Sequence, residues 1–575
     1  MQPLRLALGA LTLGLACGDD GGRDDSGTSN GPGPTTPTGV SVSTSDPLPT
    51  TSITTGATTD SGVSESHSSG GDASSGALTL TGTTGDPGST STTGTPDSTG
   101  DPSTSSTTGP PVDLCKVQDD MNAIGECDDE APADSFEPEV QWSWPGANGE
   151  IYSVVTPLVA NLTDDNADGA IDLCDIPDIV VVAATGIGGP GHIYVLDGAT
   201  GTAHFQLAAP VDSTVTPALG DIDGDGIAEI VSAGSDGRLI AWEHDGTQKW
   251  QSQAPWANSY IAALGLADLD NDGDIEIFGG NQLFDHNGAL LWTAAAAAPN
   301  YSATAAADLD GDGDLEVVIG HAAVHHDGTI YYNTNLLPGF PQVANLDGDP
   351  EPEVLLTNVN GISLLDHTGA IKYQDKRPTG DPPNGLVWYR PATIQDFNGD
   401  DISDYAVSSG NNYASYRADA TIIWKATVSD QSGIAAGTAF DFLGDGIAEA
   451  MYADEQFMFV FDGAGTPLLK TPRSSATGTE YPIVADVDND GSAEIVVVSN
   501  LYGGMSSPTV QVIRDKGDRW IQARRIWNQH TYHVTNVRED GTIPQFEPPS
   551  WKALNTFRTN AQIESGGLCE PPIPG

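Results

Sequence analysis

The chain has 575 residues, with 80 Asp and Glu against 21 Lys and Arg and a formal charge of −59. A surplus of that size excludes nucleic acid and an anionic membrane face as partners, because both repel a polyanion. The five cysteines are sparse for this length.

The first stretch, MQPLRLALGALTLGLAC, carries one positive charge at Arg5, an apolar run from Leu6 to Leu15 and a small residue before Cys17, and reads as an export signal over residues 1–17. Cleavage before a cysteine resembles the bacterial lipoprotein signal and makes Cys17 the acylated residue, although Gly14 stands where that pattern carries an aliphatic side chain; plain secretion is the alternative. Residues 18–113 are mostly Ser, Thr, Gly, Pro and Asp with no aromatic residue. Such a segment cannot bury enough apolar surface to offset the entropy of ordering it, and reads as a disordered tether. A Cys-bounded lead-in follows over 114–137. Cys115, Cys127, Cys174 and Cys569 allow three pairings, among which the sequence does not choose.

From 138 to 515 one unit recurs. Its signature is an acidic loop with carboxylates at positions one, three, five and nine and glycine at six, as in DLDGDGDLE from Asp308 to Glu316. Alternate side chains of a tight turn converge, and carboxylates brought that close repel unless a hard cation sits between them. The register recurs at Asp221–Glu229, Asp268–Glu276 and Asp486–Glu494, with variants at Asn345–Glu353, Asp396–Asp404 and Asp441–Glu449. An eighth copy, Asn161–Asp178, carries an insertion. Around each loop lies a short apolar strand, a β-branched run ending in glycine, and a hairpin with a DG-type turn, such as RLIAWEHDGTQKWQS. Four strands per repeated unit predict an all-β fold, a β-propeller, which removes sheet edges by radial closure. Eight units favour eight blades, with seven as the alternative. VQWSW at Val140–Trp144 reads as an outer strand whose blade lies elsewhere, and TVQVIRD near the other end needs one, so the two ends are expected to meet and close the ring.

These loops and their flanking strands resemble FG-GAP or VCBS repeats, the calcium-bearing propeller blades of integrin α heads and of many bacterial surface proteins; Ile277-Phe278-Gly279-Gly280 echoes the Phe-Gly element. The resemblance implies Ca²⁺ on side chains one, three, five and nine, with the carbonyl of position seven as a further ligand. Carried over, the ligands are Asp221, Asp223, Asp225, Ile227 (carbonyl) and Glu229; Asp268, Asp270, Asp272 and Glu276; Asp308, Asp310, Asp312 and Glu316; and Asp486, Asp488, Asp490 and Glu494. The variant loops supply Asn345, Asp347, Asp349 and Glu353 in blade five, and Asp396, Asn398, Asp400 and Asp404 in blade six. Pro350 replaces the sixth-position glycine in blade five and forces a different turn. Asp401 stands there in blade six and tolerates the left-handed region better. Leu443 removes the third ligand in blade seven. The insertion of the first unit resembles an EF-hand type loop, with Asp164, Asn166, Asp168, Asp172 and a closing Asp175.

Residues 516–575 contain RWIQARRIWNQHTYHVTNVREDGTIP. Its Arg524, Arg525, Trp527, Asn528, Gln529, His530, Tyr532 and His533 fit a polar latch over one end of the propeller; the competing reading is a uronic-acid site of a polysaccharide lyase. No nucleophile elbow, phosphate loop, HExxH or dinucleotide fingerprint occurs. The expectation is therefore a lipid-anchored, calcium-binding propeller on the bacterial surface that binds a protein or glycan, with a calcium-dependent lyase on the same frame as the alternative.

Overall fold

The structure, a computed structural model, describes residues 115–117, 130–132, 135–257, 261–297, 302–431 and 433–563. The signal, Cys17, the tether, Cys127 and Cys569 lie outside them. β-Branched and apolar runs separated by glycine-containing turns form eight antiparallel blades of four strands each, the first extended by Val211–Asp212, which also pairs with its third strand. Blade one comprises Leu158–Ala160, Asp178–Ala184, Pro190–Asp197 and Ala203–Gln206, and blade two Ala218–Gly220, Glu229–Ala233, Arg238–Trp242 and Gln248–Pro255. Blades three to seven repeat this order. In blade eight, Ile483–Ala485, Glu494–Val498 and Val510–Asp515 take their fourth strand from Pro138–Trp144, with Val140 opposite Ile513 and Trp144 opposite Val510. The expected closure between the two ends is thus present, and the blade number is eight.

The first three strands of each blade are largely buried, whereas the fourth alternates between exposed and half-buried positions, as in Gln248–Pro255 and Ile371–Lys376. The fourth strand is therefore the rim. On it one extra residue interrupts the pairing in every blade: Leu283 pairs with Trp292 and Phe284 with Leu290, which leaves Leu291 unpaired. The equivalent bulge residues are His204, Lys249, Tyr331, Lys372, Ile423, Leu468 and, in blade eight, Gln141. A bulge re-aims a side chain.

Next to the bulge sits an aromatic residue in every blade but the seventh, where it is Leu469, and in three blades that residue is a tryptophan bonded to the next blade. The indole N–H groups of Trp142, Trp250 and Trp292 donate to the carbonyls of Gly198, His286 and His326 in the following blade's hairpin, at 2.7, 2.8 and 2.7 Å. The indole of Trp250 packs on Gly288, where φ is 77° and an added Cβ would lie 2.6 Å from the ring. Glycine there answers both the left-handed backbone and the close approach.

The segment after the last blade runs along the first strands of all eight blades, which places it on the ring axis. Val159 and Trp527 exchange backbone bonds at 2.9 Å, Leu219 N–H donates to the Asn528 carbonyl at 2.8 Å, and Leu266 N–H to the Gln529 side chain at 2.8 Å. Thr531 reaches the Thr304 carbonyl at 3.1 Å, Asn555 brackets the backbone of Asn345 at 2.7 and 2.8 Å, and Phe557 pairs with Ile394. Thr438 bonds the Arg558 carbonyl at 2.6 Å, and Asn560 the Val484 carbonyl at 2.9 Å. Every first strand would otherwise present unpaired N–H and C=O groups to the axis, a costly arrangement away from water. A disulfide joins Cys115 to Cys174 and ties the lead-in to the inserted loop of blade one. Among the described residues, no helix is long and apolar enough to cross a membrane.

Gly288→Ala is expected to cost about 1–3 kcal/mol through overpacking, and Trp250→Phe about 1 kcal/mol through loss of one hydrogen bond. Both read out as an earlier thermal transition; an unchanged transition in Gly288→Ala would show that this contact does not hold the blades together.

Candidate metal centre

Each acidic loop joins the first strand of its blade to the second, and two local devices shape it. The position-one aspartate caps the turn: Asp221 accepts the N–H of Gly224 at 2.7 Å and of Gly226 at 2.9 Å, and Asp308 those of Gly311 at 2.7 Å and Gly313 at 3.2 Å. Position six takes the left-handed conformation at Gly226, Gly273, Gly313 and Gly491, with φ of 90–99°, and so does Asp401, with φ of 60°. In blade five, where Pro350 stands at six, that position is not left-handed; Gly348 at position four is, as are Gly224, Gly311 and Gly399 at the same place in their loops.

The ninth-position acid opens the second strand. One of its oxygens accepts the N–H of position two: Glu229 from Ile222, Glu276 from Leu269, Glu316 from Leu309 and Glu494 from Val487, at 2.8–3.0 Å. The other oxygen is left toward the acids of the turn. Ligand atoms of Asp268, Asp270 and Glu276 lie within 4.8 Å of one another, as do those of Asp223, Asp225, Glu229 and Glu243. In blade eight Glu494 is wholly buried, and its Oε1 has no hydrogen-bond partner; nor does Oδ1 of Asp488.

Burial is the main cause of the proton affinities that result. It pushes Glu229, Glu276 and Glu449 up to about 8, Glu316 and Asp486 to about 7, and Glu494 well above the usual carboxylate range. Neighbouring aspartates add to the rise in Glu276 and Glu494. Crowded carboxylates at this depth are costly when charged and uncompensated, which is the environment a divalent cation relieves.

Residues 221–279, the second acidic loop through the third, match the family model of the FG-GAP-like repeat. The chain is an eight-bladed β-propeller with an FG-GAP-like repeat. Among solved structures it is similar to the Vibrio cholerae biofilm matrix protein Bap1, at 21% identity and a TM-score of 0.64 over 75% of this chain and 99% of that one. A rhamnogalacturonan lyase of Bacillus licheniformis aligns at 18% identity and a TM-score of 0.45, covering 78% of this chain and 83% of its own. The rhamnogalacturonan lyase YesW aligns at 17% identity and 0.46, covering 77% and 85%. No curated protein sequence matches the chain.

The propeller places the sequence-derived ligands unevenly. Blade three brings Asp268, Asp270 and Glu276 together. In blade eight the acids surround the unpartnered Oε1 of Glu494, with Gln141 donating to Asp488 at 2.6 Å; against the burial that raises the loop aspartates' proton affinity, Arg514 and Arg525 are near enough to draw it down. In blade four His325 joins the group, with Nδ1 2.8 Å from Oε1 of Glu316. In blade two the ammonium of Lys249 contacts Asp223 and lies 3.2 Å from Glu229 and 3.1 Å from Glu243; in blade five Lys372 contacts Asp347 and Glu353. In blade six Asn398 turns its amide nitrogen to Asp404, where an oxygen ligand was expected.

The inserted loop of blade one takes the same nest-like shape, with Ala167 and Gly169 left-handed and the N–H groups of Asp168 and Gly169 donating to Asp164. Both oxygens of the closing Asp175 are taken by backbone N–H groups of Asp165, Asn166 and Asp172. Beside it lies a group that spacing alone did not single out. Asp178, fully buried and pushed up to about 8, stands at the ninth-position place and accepts the Leu162 N–H at 2.9 Å. His204 lies 3.3 Å from it, 3.8 Å from Asp165 and 3.9 Å from Asp197.

The aromatic and basic cluster of the axial segment is buried, and its arginines are committed, whereas neither ring nitrogen of His530 has a hydrogen-bond partner. Arg524 donates to the Val534 and Val537 carbonyls, Arg525 to Glu539, Leu173 and Asn489, and His530 and Tyr532 are wholly enclosed. A polar cleft of about 520 Å³ opens instead on the loop face, between the loops of blades six and seven and the axial segment, lined by Gln395, Asp401, Asp441, Asn555 and Gln562.

The raised acids set a pH dependence. Their folded pKa exceeds the unfolded value, so they favour the folded state below about 4.5, the ordinary Glu value, and that contribution is lost as pH rises through about 8. In chelator the melting temperature is expected to fall steadily across that window, and saturating Ca²⁺ to flatten the slope. A chelated protein with a melt independent of pH would contradict the assignment of these carboxylates.

Proposed function

We propose that the protein is an extracytoplasmic, calcium-stabilised propeller that displays a binding surface for a glycan or a protein, held at the cell envelope through a lipid on Cys17. The observation that carries the calcium reading is the buried convergence in blades three and eight, above all the unpartnered Oε1 of Glu494. All-oxygen, acid-rich donor sets suit a hard cation. Asp268, Asp270, Asp272 and Glu276, and Asp486, Asp488, Asp490 and Glu494, would hold Ca²⁺ there, with Asp308, Asp310, Asp312 and Glu316 and the loop from Asp164 to Asp175 as further sites. The ion supplies charge compensation and loop geometry, not catalysis.

Binding is favoured over catalysis because the residues able to act on a uronic acid are enclosed in the axial segment, with Arg524 and Arg525 spent on carbonyls and Glu539. The loop face carries an open polar cleft suited to hydroxyl and amide groups, and a strongly exposed Phe546 near the blade-three loop, where Gln545 bonds the Asn271 carbonyl. The disulfide supports an oxidising compartment. The likeness to a biofilm matrix protein supports a place outside the cell.

Screening the full chain on glycan and surface-protein arrays is expected to reveal binding that chelator removes and Ca²⁺ restores. Incubated with acidic polysaccharides, the protein is expected to release no unsaturated product. Absorbance from such a product, lost in His530→Ala, would overturn the reading in favour of a lyase.

A further inference from the structure

In blades one, two, five and eight the bulge residue of the fourth strand meets the acids of its own blade's loop: His204 beside Asp178, Lys249 on Asp223, Lys372 on Asp347 and Gln141 on Asp488. In blades two and five that side chain is lysine. Lys249 and Lys372 occupy the same register, three residues after the hairpin glycines Gly246 and Gly369, and each is the unpaired residue of its bulge. The Lys249 ammonium bonds carboxylates of loop positions three and nine together with Glu243 from the end of the third strand, and Lys372 likewise bonds Asp347 and Glu353. Both ammonium groups therefore sit among the oxygens that positions three and nine would give to a metal. In blades three and four the same register holds Leu291 and Tyr331, which bring no cation.

We propose that Lys249 and Lys372 are the resident cations of blades two and five, so that these two loops take no divalent ion although blade two carries the full acidic motif. An ammonium and a divalent ion in one cage of oxygens repel each other strongly, so a metal enters only if the lysine is expelled. Expulsion breaks charge-assisted hydrogen bonds, and the bulge holds the stem over the loop so that the ammonium competes intramolecularly. The occupant of each loop is thus set on the opposite strand of the blade, at a residue outside the loop. This inference rests on the calcium reading of the other blades.

The test counts bound calcium per chain by native mass spectrometry after loading the full-length protein with excess Ca²⁺ and desalting. The wild type is expected to hold a fixed number of ions, Lys249→Met and Lys372→Met each one more, and the double variant two more. Lys249→Arg, which keeps the charge, is expected to retain the wild-type number, and the melting temperature in Ca²⁺ reports that each variant is folded. Equal, non-zero counts in wild type and folded methionine variants would overturn the proposal while leaving the calcium reading intact. A count of zero in every protein would overturn the calcium reading and this inference with it. If Lys249→Met does not fold, Lys249→Gln and Lys372→Met carry the same comparison.

Discussion

The structure depends on one constraint: a buried acid at the first residue of the second strand of each blade, with one oxygen tied in every blade but the sixth to the backbone N–H of loop position two, and in the sixth to the side-chain amide of Asn398. That bond fixes where the loop begins and ends relative to the sheet. It also takes a carboxylate out of water, where its charge is costly unless a cation lies close. The rest of the loop answers that cost. Aspartates at positions one, three and five bond the turn's own N–H groups and leave oxygens facing the same point, and left-handed residues allow the chain to fold around it. The formal charge of −59 is in this sense a property of the fold's turns before it is a property of its surface.

The second constraint is the edge. Eight sheets arranged in a ring leave eight first strands with free backbone groups facing the axis, and a rim joined only by side chains. The axial segment meets the first need, using peptide groups and the amides of Gln529, Asn555 and Asn560 in turn. Its buried arginines bridge outward: Arg525 holds Asn489 of the blade-eight loop and Leu173 of the inserted loop in blade one, and Gln522 bonds Asp486. The loop face and the axis are therefore one hydrogen-bonded system. At the rim, tryptophans set against hairpin glycines supply the blade-to-blade contact, and the N-terminal strand supplies the last sheet.

Much of this was legible in the sequence because it is periodic. The acidic register, the DG hairpins and the split blade formed by VQWSW and TVQVIRD each repeat or complete a repeat, so fold class, blade number and closure followed from counting. What could not be read is what depends on side-chain direction across a sheet. That Lys249 and Lys372 reach into their loops follows from a bulge, and neither the bulge nor its aim has a local spelling. Asp178 escaped notice as a site residue because the insertion in blade one separates it from the loop it serves, and His204 because it lies on another strand. The Cys115–Cys174 bond needed coordinates, since spacing left three pairings open. The arginine and histidine cluster fits a latch better than a site in the sequence, and its burial agrees with the latch.

The central claim is that cations, divalent in some blades and lysine in others, hold the loops against their own charge. Hydrogen exchange of the full chain, read by mass spectrometry with Ca²⁺ and in excess chelator, tests it blade by blade. The account predicts that peptides covering 268–276 and 486–494 lose protection in chelator, while those covering 221–229 and 345–353 exchange alike in both conditions. Uniform protection at all four loops regardless of calcium would contradict it.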